Sequence, residues 1–205
     1  SIQKRLSKYP VSEQIWDEYH LDQEINDRGI ALDMVMVENA ILFDERSRSD
    51  LTASMQDITD VDNPNSVAQM KQWLSDNGIE TESLGKKDVA KLIEDTSGKV
   101  EDALRLRLQL AKSSVKKHQA MQNAVCKDGR AHGMFQFYGA NRSGRWAGRL
   151  IQLQNLPQNH MKGLAEVREI VRSGDYETME LLYDDIPGAL SQLIRTAFVV
   201  RDGIS

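Results

Sequence analysis

Gly139-Ala140-Asn141-Arg142-Ser143-Gly144-Arg145-Trp146-Ala147-Gly148-Arg149-Leu150-Ile151-Gln152-Leu153-Gln154-Asn155-Leu156-Pro157-Gln158 is the stretch around which this chain is organised. It sets arginines and side-chain amides among small residues and contains no Asp or Glu. The fork of an arginine matches planar pairs of acceptors, and Asn and Gln each donate and accept, so these residue types suit phosphates and the base edges of a minor groove. No side chain in the stretch performs nucleophilic or metal chemistry alone.

Working outward, the charge balance places this stretch in a basic block. The formal net charge of the 205 residues is -5, but residues 1–98 carry 10 Lys and Arg against 20 Asp and Glu, residues 99–149 carry 11 against 3, and residues 150–205 carry 5 against 8. A local positive field of this kind steers a polyanion to one face, although a plain solvated basic face has the same composition. With 40% hydrophobic content the chain can bury a core, as one domain or two small ones. Its single cysteine, Cys126, excludes an internal disulfide, and no apolar run is long enough for a signal peptide or membrane span, so the expected compartment is the cytoplasm.

The pattern along the chain predicts mostly helix. Residues 1–10 read as a helix fragment or linker ending at Pro10. Residues 12–28 repeat apolar positions at Ile15, Tyr19 and Ile25, with Ser12 as cap and Gly29 as stop. Asp33 caps a second helix through Met34, Val37, Ile41 and Leu42, which is expected to dissolve in the polar run Asp44 to Asp50, with loop from there to Asn63. Ser66-Val67-Ala68-Gln69 is a capping box; Val67, Met70, Trp73 and Leu74 share a face, and Gly78 ends the helix. A short helix follows through Val89, Leu92 and Ile93. The longest helix is expected from about Lys99 to Asn123, about 35 to 40 Å at 1.5 Å per residue, with Val100, Leu104, Leu108, Ala111 and Val115 as its core stripe. Asp128-Gly129 marks a turn, Met134 to Tyr138 alternates as a strand, and strand character is expected again at Leu150 to Leu153. Helical pieces follow at Leu164 to Val171, Tyr176 to Tyr183 and Gly188 to Ala197. The fold class is therefore α+β, mostly helical, with a small antiparallel element.

Other constellations carry less. Asp184 and Asp185 are paired carboxylates but end a helical pattern (Met179, Leu182, Tyr183). His20, His118, His132 and His160 have no ligand spacing among themselves or with Cys126. Ser113 and Ser143 lack a His-Asp partner in a recognisable arrangement, and the glycines from 139 to 148 do not follow a strand, phosphate loop and helix order.

Ser143-Gly144-Arg145 followed by Gln152-Leu153-Gln154-Asn155-Leu156-Pro157 resembles the S/T-G-R and N-L-Q-N-I/L-P signature of family A DNA polymerases, the DNA polymerase I family. Ile194-Arg195-Thr196-Ala197-Phe198 resembles the I-R-x-A-F run before the first catalytic strand of the palm. Leu110-Ala111-Lys112 resembles the L-A-K of the long thumb helix, and Asn26-Asp27-Arg28-Gly29-Ile30-Ala31-Leu32-Asp33 the E-x-x-G-I/V-x-I/L-D before the thumb. Trp146-Ala147-Gly148-Arg149, where many members have Leu-Ser-Ser, points to a phage-type or prophage-type branch.

The resemblance implies residues 1–33 as a connector, 34–125 as a thumb-like helical region with a long helix and a helical hairpin at its tip, and 126–205 as the start of the palm, ending before the catalytic strand. It implies a nucleotidyltransferase parent that adds deoxynucleotides to a primer 3′ end with Mg2+, and a fragment that lacks the catalytic aspartates, binds no cofactor and is inactive alone. The expected partner is double-stranded primer–template DNA, with deoxynucleotides bound only by the full-length enzyme, no membrane, and a monomeric state. Expected DNA-binding residues are Arg145, Gln152, Gln154, Asn155 and Arg149 on the motif stretch, and Lys112, Lys116, Asn65, Ser66 and Lys86 on the helical region. The hairpin with Lys86 and Lys87 resembles both a thumb tip and a SAP-type DNA-binding hairpin, and it also reads as a plain packing hairpin. The alternative function is accordingly a stand-alone SAP-like DNA-binding or scaffold module without catalysis.

Overall fold

The computed structural model describes residues 9–112, 115–140 and 142–200. Residues 1–8 of the expected N-terminal linker, Ser113, Asn141 and the chain end at Ser205 lie outside the described residues. The chain forms two compact units, one of residues 1–34, 120–156 and 196–205, the other of 35–119 and 157–195. Both are mostly helical or mixed, and the only strands among the described residues form two small antiparallel pairs.

In the first unit, α1 (Glu13–Arg28) starts after Ser12, whose side chain makes no cap bond, and stops at Gly29. Gly29 sits at φ +63, and a Cβ there would lie 2.8 Å from the Ala131 carbonyl oxygen, so both conformation and space require glycine. β1 (Ile30–Ala31) pairs with β2 (Arg130–Ala131). β3 (Phe135–Ala140) pairs with β4 (Arg145–Gly148), with the register shifting between Gln136 and Ala140, where Tyr138 takes φ +51. Asn26 ties α1 to this hairpin: its amide donates to the Phe135 carbonyl at 3.1 Å and accepts from the Phe135 N–H at 2.9 Å.

The second strand is therefore not at Leu150 to Leu153, where strand character is expected, but at Arg145–Gly148. Leu150 and Gln152 both adopt positive φ, at +53 and +55, between them Ile151 is fully buried, and a 3-10 turn follows at Leu153–Asn155. One buried anchor and two left-handed residues make a tight loop out of a largely apolar stretch.

The second unit is built on α2 (Met34–Thr59), α3 (Val67–Asp76), α4 (Lys86–Glu94), α5 (Lys99–Leu110), α7 (Leu164–Ser173), α8 (Tyr176–Leu182) and α9 (Ile186–Leu193); α6 covers Val115–Ala124. Two apolar clusters lie along α3 to α5: Met55, Met70 and Leu110 form one, and Leu74, Val89 and Leu104 the other, with Trp73 and Leu84 packed on both. Ser66 caps α3 through its side chain, but Gln69 returns its carbonyl oxygen to the Asn63 N–H, so the box is only half formed. The Ile79 N–H to the Leu74 carbonyl and the Gly78 N–H to the Ser75 carbonyl close α3 as a Schellman motif, with Gly78 at φ +82.

Two expectations fail here for one reason. α2 does not dissolve at Asp44 but continues to Thr59, and the helix expected over 99–123 is divided at 111–112. Asp44 is 1% exposed and holds Arg48 through Nε at 2.5 Å. Arg48 in turn donates from Nη1 to the Leu110 carbonyl at 2.8 Å and from Nη2 to the Lys112 carbonyl. An unbroken helix would give those carbonyls to residues 114 and 116. The polar run that reads as a helix end is thus an interior contact that stops another helix. Burial holds the Asp44 carboxyl above the usual carboxylate range, against the opposing pull of Arg48. Farther along α2, Arg46 stacks 4.1 Å from the Tyr176 ring and bonds Glu177, and the Tyr176 hydroxyl donates to Asp50.

Candidate nucleic-acid interface

On the first unit the candidate surface is the β3–β4 hairpin and the turn after it. Arg145 opens β4 and is exposed, with no hydrogen bond or ion pair of its guanidinium among the described residues. Arg142 and Arg149 are also exposed. Arg149 is oriented twice: its N–H donates to the Met134 carbonyl at 2.8 Å and its Nε to Gln136 Oε1 at 3.0 Å. The small residues of this strand have a use, because a Cβ on Gly148 would overlap the Gln154 amide and one on Gly139 would meet the Ala147 Cβ. Gln154 therefore lies directly over the strand. Gln152 and Asn155 are exposed and bonded to each other, Asn155 Nδ2 donating to Gln152 Oε1 at 3.1 Å. Donors and acceptors of Arg145, Gln152, Gln154 and Asn155 are thus presented on an acid-free segment.

On the second unit, Lys86, Lys112, Lys116 and Lys117 line one cavity of about 570 Å³, floored by Leu108, Ala111, Pro157 and Ile194. Lys86 comes from the first turn of α4, far from the others in sequence, so tertiary structure gathers four ammonium groups that spacing relates only in part. Asn65 and Ser66 do not line this cavity. The Ser66 hydroxyl caps α3, and the Asn65 N–H bonds Asn63 Oδ1 at 3.1 Å while its side chain is exposed. His118 follows the lysines on α6 and is fully buried; neither ring nitrogen has a partner among the described residues, and burial pushes its pKa down to about 4.

Two contacts escape the sequence. Asp185 Oδ2 forms an ion pair with Lys112, and its Oδ1 accepts from the Gly188 N–H at 3.0 Å to cap α9. Each oxygen of Asp185 thus has a partner of its own, Lys112 on one and the α9 N-terminus on the other. The second is an aromatic series on the first unit, Trp16, Tyr19, His20, Phe137, Tyr138 and Trp146, linked ring to ring at centroid distances of 4.8 to 6.4 Å. The i, i+3 spacing of Trp16 and Tyr19 is its only sequence signal.

No helix among the described residues is long and apolar enough to cross a membrane. No family model matches the chain, and no solved structure matches it. Among curated proteins it is similar to the DNA polymerase of Bacillus phage SP02, with 48% identity over 204 residues, 99% of this chain. The chain spans 32% of that protein's length.

Proposed function

We propose that this chain is the primer–template-binding part of a DNA-dependent DNA polymerase of family A, with residues 34–125 as the thumb and 126–205 as the start of the palm. The similarity to a phage DNA polymerase along nearly the whole chain supports the polymerase parent, and the four motifs in family order support the narrower assignment. The observation that carries the site is Arg145, exposed and with no partner for its guanidinium among the described residues, on a segment without acids, beside Gln154 seated on Gly148.

The two surfaces divide the work. Lys86, Lys112 and Lys116 neutralise backbone phosphates, a contact that carries no sequence information and weakens with salt. Arg145 and the amides of Gln152, Gln154 and Asn155 meet the minor groove at the primer end. Correct pairs of either orientation present purine N3 and pyrimidine O2 at similar positions there, so an arginine senses pair geometry without reading sequence. A mismatch displaces those acceptors and leaves the guanidinium poorly paired. Nucleotide addition and its Mg2+ belong to the full-length enzyme; the chain alone binds duplex DNA as a monomer and does not synthesise.

The test is single-turnover incorporation by the full-length polymerase carrying Arg145→Ala. Extension of a matched primer should fall about ten- to hundredfold, the worth of one good base-edge contact, and extension from a mismatched terminus, which already lacks the contact, should fall less. Equal losses on both primers, or none, would refute the sensor role. Template-dependent extension by the isolated chain would refute its inactivity.

A further inference from the structure

A groove of about 300 Å³ runs between α1 and β3, lined by Tyr19, Asp22, Gln23, Asn26, Phe137 and Arg149 among others. Its size is at the lower end of pockets that bury a compact ligand. Tyr19 and Phe137 form an aromatic corner, with centroids 5.7 Å apart and planes at 70°, and Tyr19 is 37% exposed. Asp22 is only 4% exposed. Its Oδ2 accepts from Gln23 Nε2 and Asn26 Nδ2, both at 3.1 Å, whereas its Oδ1 is buried with no partner among the described residues. A buried carboxylate oxygen without a donor is costly, and it is the kind of exception that a ligand explains.

We infer that this groove binds a single unpaired nucleotide whose base carries an amino group, the base packed in the Tyr19–Phe137 corner, its amine donating to Asp22 Oδ1 and its phosphate meeting Arg149. An aromatic corner beside a carboxylate also suits a cationic side chain, but Arg149 on the rim repels one. A ligand that couples a planar hydrogen-bond donor to an anion satisfies both ends, and a nucleotide does so. Arg149 is held by Gln136 through Nε, which leaves its two terminal nitrogens as donors to phosphate. Gln23, which also lines the groove, holds Oδ2 with Asn26, so Oδ1 is the oxygen left for the amine. Thymine is disfavoured because its only donor, N3–H, is flanked by two carbonyl oxygens that would face the carboxylate. The aromatic series on either side, with Trp16 50% and Trp146 45% exposed, offers stacking to neighbouring bases of the same strand.

This inference rests on the reading of Arg149 as a DNA-binding residue and goes beyond duplex binding. Anisotropy of labelled dC12 and dT12 on the folded chain tests it. dC12 should bind about tenfold more tightly, the scale of a hydrogen bond to a charged group. Asp22→Asn should bring the two within about twofold, and Tyr19→Leu should weaken both. Equal binding of dC12 and dT12 by the wild type, a preference that survives Asp22→Asn, or displacement of dC12 by an arginine-rich peptide at lower concentration than by CMP would overturn it. If circular dichroism shows that Asp22→Asn does not fold, an NMR titration of the wild type decides: shifts at Gln23 and Phe137 with CMP and not with TMP support the site, and their absence overturns it. Duplex binding, measured in parallel with Lys112→Ala/Lys116→Ala, tests the polymerase reading separately.

Discussion

Replacing Asp185 by Asn should make this chain bind duplex DNA more tightly. Asp185 occupies Lys112 in the free structure as a phosphate would, so the duplex must displace it before gaining the contact. The side chains of Lys112 and Asp185 are 29% and 42% exposed, and an ion pair this open is worth up to about 1 kcal/mol after solvent screening. Removing the competitor therefore predicts a gain of about two- to fivefold at moderate salt. The slope of log K against log salt should steepen by at most about 0.9, the increment for one phosphate contact. Asn retains the cap on the Gly188 N–H, so the melting temperature should stay nearly constant, whereas Asp185→Ala also loses the cap, at about 1 kcal/mol or ~2–4 °C for a chain of this size. Fluorescence anisotropy from 50 to 200 mM salt measures the binding. In a Lys112→Ala background Asp185→Asn should lose most of its effect. An equal gain with and without Lys112 would show that Asp185 acts only through general charge, and unchanged affinity in Asp185→Asn would refute the competition outright.

Two further outcomes follow from buried and close-packed groups. His118 is held neutral by burial, with its pKa lowered to about 4 from the usual 6.5, so the unfolded chain binds a proton that the folded chain refuses. Stability is thus full above pH 6.5 and is lost as pH falls toward 4, by up to ~3 kcal/mol, and His118→Leu should shift the acid-unfolding midpoint downward in a circular-dichroism titration; an unchanged midpoint would count against it. Gly148→Ala should leave the melting temperature within a few degrees, because its backbone needs no left-handed conformation, but should push Gln154 off the strand. It should then weaken primer–template binding as much as Gln154→Ala does, and the double variant should be no weaker than either single one; additive losses would place Gln154 elsewhere.

Chain-local chemistry was legible in the residues themselves. The Ser66 cap, the Gly78 and Gly29 stops, and the α4 periodicity follow from hydrogen bonds and torsions spanning a few neighbours, and the structure shows each in place; on α1 the helix forms, but Ser12 makes no side-chain cap and the buried residue is Asp22 rather than the apolar Tyr19. The acid-free arginine and amide stretch was legible for the same reason, since its character is compositional. Its conformation was not: the residues suggest strand character at Leu150 to Leu153, and only the burial of Ile151 between two left-handed residues turns that segment into a loop and leaves β4 at Arg145–Gly148. Asp44 and Arg48 read as the frayed end of a helix until the Leu110 and Lys112 carbonyls are brought beside them. Lys112 likewise reads as an open cation until Asp185 arrives from α9's cap position. The Arg48 and Lys112 contacts depend on partners more than sixty residues away, and a sequence prescribes its short-range hydrogen bonds residue by residue, whereas a charge's partner is fixed only once the packed core has brought distant segments together.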